Sequence, residues 1–175
     1  MTKSMIGPRG GRTSTCALTA AMAITVFAAT LTLPAVAQEV RTFPAKAAYE
    51  DVKADIMTAV VNRGLVSDYT GNIGRMLERT GADIGSTRAI YRSAEYLTFC
   101  SAKFSREMME ADPANLGFCP FVMFVYEVAD KPANAPGSVV VGYRRPISTS
   151  GNAATQAALA NIDKLLSDIA TEATR

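Results

Sequence analysis

The chain has 175 residues, 18 Lys and Arg against 16 Asp and Glu, and no histidine at all. That length holds one domain with its own core. The missing histidine excludes a Ser-His-Asp or Cys-His nucleophile system, a His-ligated metal and a His-ligated haem.

Residues 1–37 read as a secretory signal. Lys3, Arg9 and Arg12 form a basic, acid-free start, Cys16 to Leu33 is an apolar segment, and Ala35-Val36-Ala37 is a small-x-small cleavage site. Four threonines interrupt the apolar segment and Pro34 ends it, so it falls short of the roughly 20 apolar residues of a stable anchor. Cleavage after Ala37 removes three cations and no acid. Lys+Arg falls from 18 to 15 against 16 acids, which leaves the mature chain near −1. No basic patch then argues for nucleic acid or an anionic membrane. The expected location is periplasmic or secreted, with residues 38–175 as a single domain.

Val40 and Phe43 suggest a first strand ended by Pro44, which lacks the N–H that a central ladder needs. Ala47 to Arg63 repeats apolar residues at Tyr49, Val52, Ile56 and Val60, the spacing of one helix face, and Gly64 stops it. A second strand, Leu65 to Tyr69, is expected to break at Gly71-Asn72. A short helix spans Ile73 to Gly81. Tyr91 to Cys100 is strand-like, with Tyr96, Thr98 and Cys100 on one face and Leu97 and Phe99 on the other. Ala102 to Ala111 is a helix with Ser101 as N-cap, stopped at Asp112-Pro113.

Phe121 to Val128 is apolar at nearly every position, so both of its faces should be covered or in contact. Ser138 to Arg144 is a second strong strand, and the Pro-rich link between them predicts an antiparallel hairpin. Asn152 to Ala173 is the last helix, with Leu159, Ile162, Leu166 and Ile169 as its apolar stripe. The fold class that follows is α+β: a two-layer sandwich, one mixed or antiparallel sheet of about four or five strands with helices mainly on one face.

Between Phe99 and Glu127 the chain resembles the DUF302 family, whose members are small α+β domains. The matching residues are Cys100 at a strand end, Glu110-Ala111-Asp112-Pro113 closing a helix, Cys119-Pro120, and an apolar strand ending in Tyr126-Glu127. The family's commoner order is Pro-Cys. Here Cys119 precedes Pro120, a one-residue shift that on a strand would change the face of the thiol. The family name records no function, so the resemblance implies fold and boundaries and no activity.

Cys100 and Cys119 are the two cysteines outside the leader. Three readings stand: a structural disulfide, the usual fate of a pair in an exported protein; two separate buried thiols; or a redox-active or metal-binding pair. A disulfide requires the two strands to run antiparallel. A parallel crossover would leave the sulfurs at opposite sheet edges, about 20 Å apart. Aromatic residues come second. Phe124 and Tyr126 share a strand face, Tyr96 and Tyr143 are expected to join them, and such a face not covered by helices would take a second subunit or a small apolar ligand. Arg144, beside Arg145 and Pro146, is a candidate for an anionic ligand, although with Glu127 it reads more simply as a solvated rim. Glu107 and Glu110 share a helix face without a third ligand. No cofactor is implied. The expected function is an exported, non-catalytic binding or accessory domain that pairs as a homodimer. The alternatives are a thiol or sulfur redox carrier using Cys100 and Cys119, and a purely structural envelope protein.

Overall fold

The computed structural model describes residues 40–149 and 151–175. The expected leader, 1–37, lies outside these residues. The elements are β1 (Val40–Pro44), α1 (Tyr49–Val61), β2 (Val66–Asn72), α2 (Ile73–Thr80), β3 (Tyr91–Cys100), α3 (Ala102–Ala111), a 3-10 turn (Pro113–Phe118), β4 (Phe121–Val128), β5 (Val139–Arg144) and α4 (Ala153–Ala173). The fold is α+β, with one five-stranded sheet in the order β1-β5-β4-β3-β2. Every neighbouring pair is antiparallel.

Strand alternation sorts the sheet into two unlike faces. On one, Leu97, Phe99, Phe121, Met123, Val125, Val139, Val141 and Tyr143 are buried against helical residues that include Val52, Ile56, Met108, Leu159, Ile162 and Ile169. This is the core, and its helical partners are the apolar positions expected for α1, α3 and α4. On the other face Val122, Phe124, Tyr126 and Val128 are only half-buried. The near-continuous apolar run of β4 therefore has helices on one side alone.

Helix ends are built as the residue types dictate. Ser101, Asn72 and Asn152 accept backbone N–H groups in the first turns of α3, α2 and α4. Gly64 follows α1 at φ +70°, a left-handed conformation that glycine adopts without cost. Asp112 ends α3, and its side chain accepts the Ala114 N–H to open the 3-10 turn. Buried Asn115 then donates to the Met108 carbonyl at 2.7 Å and to Thr155 Oγ1 at 3.1 Å, tying α3 to α4.

One expected break does not occur. Gly71-Asn72 stays within β2 because the ring of Tyr96, directly across in β3, lies over Gly71 and shields it. The irregularity falls earlier, as a bulge between Ser67 and Tyr69.

Candidate functional site

Cys100 ends β3, and Cys119 closes the 3-10 turn just before β4. The two strands are antiparallel, with Phe99 opposite Phe121, so both cysteines stand at one end of the sheet. This meets the topological condition for a bridge. Their sulfurs are 2.6 Å apart, and Ser105 Oγ is 3.5 Å from the sulfur of Cys119. The expected change of face does not arise, because Cys119 lies in the turn and not on the strand, where alternation has no hold. Burial pushes the Cys100 thiol up to about 12, helped by its hydrogen bond to Cys119 and by the nearby charge of Asp68.

The open sheet face carries most of the aromatic residues singled out above. Tyr96 is paired with Phe124 across β3 and β4, and Tyr126 follows on the same side. The rings of Phe124 and Tyr126 stack with centroids 6.1 Å apart, Tyr91 and Tyr126 meet at 5.4 Å, and Tyr69 and Tyr96 at 5.9 Å. Two glycines make this surface flat. Gly142 of β5 stands opposite Phe124 and Gly71 of β2 opposite Tyr96, and in each case a Cβ on the glycine would run into the ring. The rings thus lie down across the neighbouring strands. They floor a shallow groove of about 340 Å³ reached by Val40, Thr42 and Ile73.

Tyr143 does not belong to this group. Its partner across the hairpin is Met123, so it faces the core and stacks on Phe43 at 6.2 Å. The register gives Gly142, not Tyr143, to the open face. The Tyr143 hydroxyl instead donates to Asp163 Oδ1 of α4 at 2.9 Å. Arg145 meets the same carboxylate in a two-point contact at 3.2 Å, and Arg41 approaches it at 3.4 Å. Of the two adjacent arginines, Arg145 thus finds its carboxylate in Asp163 of the same chain, while Arg144 is exposed at the end of β5.

The expected rim of Arg144 and Glu127 is also corrected. An antiparallel hairpin sets the end of β4 beside the start of β5, so Glu127 lies at the far end from Arg144. Glu127 is 4 % exposed, accepts the Asn134 N–H at 2.9 Å and pairs with Arg92 at 3.6 Å. It holds the β4–β5 loop. Glu110 pairs with Arg106 on an exposed helix face. Among the described residues, no group of three or more Cys, Asp or Glu is placed to hold a metal, and no helix is long and apolar enough to cross a membrane.

The family "Domain of unknown function DUF302" matches residues 41–173, three quarters of the chain and all of its described elements. The chain belongs to the DUF302 family. Among solved structures, the uncharacterized conserved protein DUF302 from Bacillus stearothermophilus is similar in fold, with a TM-score of 0.64 at 14% identity, covering 79% of this chain and 100% of that one. No curated protein matches this DUF302 chain.

Two features escaped the sequence reading. One is the pairing of aromatics with glycines across strands, whose only linear signal is a glycine inside a strand pattern. The other is a cleft beside the first turns of α1 and α2, formed by residues far apart in the chain.

Proposed function

We propose that this DUF302 chain is an exported, non-catalytic binding domain that pairs with a second copy of itself through the open aromatic face of its sheet. The observation that carries the reading is the flattened row of Tyr69, Tyr96, Phe124 and Tyr126, covered by no helix of the described residues while the opposite face is sealed. The five strands, 5 to 10 residues long, offer roughly 590 Å² at about 3.4 Å per residue and about 4.8 Å between strands, at the lower edge of the about 600–1,000 Å² that each partner gives to a specific interface. Rings lying flat suit an isologous contact, where one surface must complement itself. The leader-like composition of residues 1–37 supports export.

The test is sedimentation velocity on the mature chain, with Val140→Lys as the variant. Val140 is half-buried on the open face, opposite Tyr126. The mature chain should sediment as a dimer and the variant as a monomer with an unchanged thermal melt. A monomer at every concentration, or a dimer that tolerates the lysine, would refute the pairing.

Redox work by Cys100 and Cys119 is the rival reading, and the approach of their sulfurs favours it as much as it favours a staple.

A further inference from the structure

A second concavity lies beside the open face and shares Tyr91 and Glu95 with its groove. The first turn of α1, the first turns of α2, the connection 81–90 and the start of β3 enclose a cleft of about 630 Å³. That volume is in the range of small-molecule sites. Its lining includes Tyr49, which is 5 % exposed and whose hydroxyl has no hydrogen-bond partner among the described residues. A buried hydroxyl is normally satisfied, so an orphan one in a cleft wall marks a place where a ligand atom would be at home. Burial, and then the charges of Glu95 and Glu50, hold this phenol above its ordinary pKa, which keeps it a donor.

The charges around the cleft are unevenly used. Glu95 is tied to Lys53 at 2.8 Å and accepts the Asn72 side-chain N–H at 3.1 Å. Glu50 also reaches Lys53, at 3.9 Å. Arg92 is engaged by Glu127 and by the Lys131 carbonyl. Among the described residues, the guanidinium groups of Arg75 and Arg88 have no partner, and Glu78 is the one acid of the lining left to oppose them. Arg75 sits in the first turn of α2, whose positive end adds to its charge. Its position is fixed: Asn72 accepts the Arg75 N–H at 2.8 Å, and a Cβ on Gly74 would stand 3.0 Å from the Ala94 nitrogen, so α2 rests directly on β3. The same lining includes Ile84 and Ile90, 71% and 47% exposed. Isolated apolar side chains at a surface need no explanation, but two in a cleft wall between free arginines and an orphan hydroxyl form an amphiphilic lining.

We propose that this cleft is a binding site for a small organic anion: a carboxylate or phosphate head held by Arg75 and Arg88, an apolar body against Ile84 and Ile90, and an acceptor oxygen that takes the Tyr49 hydroxyl hydrogen.

The test is an NMR titration of the ¹⁵N-labelled mature protein with 4-hydroxybenzoate, phenyl phosphate and, as the uncharged control, 4-hydroxybenzyl alcohol. The anions should shift amides of 74–78 and 86–93, and the alcohol should bind at least roughly tenfold more weakly. Preference between the two anions assigns the head group to carboxylate or phosphate. The Arg75→Gln/Arg88→Gln double variant should lose binding of either anion by tenfold or more. Tyr49→Phe should weaken 4-hydroxybenzoate several-fold while melting no lower than the parent, since the hydroxyl it removes satisfies nothing in the fold. No shifts at millimolar concentration of either anion, equal binding of the alcohol, or binding that survives the double arginine variant would overturn the proposal. These outcomes are read in monomer or dimer alike and leave the pairing through the open face to its own test.

Discussion

Gly142→Ala is the sharpest probe of the flat face. On backbone grounds the change should help, because Gly142 has no positive φ and alanine in place of a strand glycine gains about 0.4–1 kcal/mol from the unfolded chain. The surroundings decide otherwise. A Cβ at this position would collide with the edge of the Phe124 ring and stand 2.7 Å from the Arg41 carbonyl oxygen. Phe124 can swing away, but the carbonyl belongs to β1, which is held in register with β5 by the pairing of Thr42 with Gly142. Overpacking of this kind costs about 1–3 kcal/mol. The net loss should be about 1.3 kcal/mol, or about 5 °C in Tm for a domain of this size. At Gly71 the three nearest atoms all belong to the Tyr96 side chain, which can swing away, so Gly71→Ala should cost less than about 1 kcal/mol. Differential scanning calorimetry of both variants, with Phe124→Ala and Phe124→Ala/Gly142→Ala, separates the parts. Removing the ring should reduce the cost of the alanine but not abolish it, because the carbonyl remains. A Gly142→Ala protein that melts with the parent would mean that Phe124 does not lie across β5, and the flat face would fall with it.

Two further predictions concern the end of the sheet where β3 stops and β4 starts, beside the last residues of β5. The mature protein expressed in the periplasm should alkylate Cys100 and Cys119 only after reduction, as read by intact mass, and reduction should cost about 3 kcal/mol by loop-closure entropy over a loop of about 20 residues. The reduced protein should also become alkali-sensitive. A thiol whose folded pKa is raised contributes stability that is fully present below its unfolded pKa, about 8.5, and is lost as pH rises toward its folded value of about 12. Denaturant midpoints should therefore fall across that window in the reduced protein and stay flatter in the oxidised one; parallel curves would refute the assignment. At the other position, Asp163→Asn leaves Arg41 and Arg145 without their carboxylate where the side chain is 14% exposed, and should cost about 2–3 kcal/mol. Asp168→Asn breaks an exposed i,i+4 pair with Lys164 and should cost less than about 0.5 kcal/mol. Equal losses in urea unfolding would sink the reading of Asp163 as a hub.

The strands and helices were legible wherever local pattern and end chemistry agreed. Tyr91–Cys100 and Phe121–Val128 match the expected strands residue for residue, and α3 runs from the Ser101 cap to Asp112 as its sequence dictates. Burial along β4 follows the period of two, whereas Leu97, Thr98 and Phe99 of β3 are buried in succession. The break at Gly71 was misread because glycine is a breaker only by default. Opposite an aromatic residue it becomes the place where a ring lies down, and that depends on a partner 25 positions away in the sequence. The 3-10 turn Pro113–Phe118 carries no periodic signal and was missed for that reason.

The site was legible to the extent that pairing depends on topology alone. Cys100 and Cys119 meet because β3 and β4 are antiparallel, and any antiparallel connection short enough to return Asp112 to Phe118 brings them together. Tyr143 fails for a different reason. Whether it joins Tyr96 or faces the core turns on one residue of register between β4 and β5, and Val139, Val140, Val141 and Tyr143 are apolar on both faces, so the strand's own pattern cannot choose. The choice is made by what lies beneath. Gly142 has no side chain and fits under Phe124, whereas Tyr143 needs a partner for its hydroxyl and finds Asp163 on α4. The arginines divide likewise: Arg145 follows the last strand residue and turns in to Asp163, and Arg144 turns out. In this chain the polar end of an aromatic residue fixes the register. The register then leaves one face of the sheet paved with rings that no helix of the described residues covers.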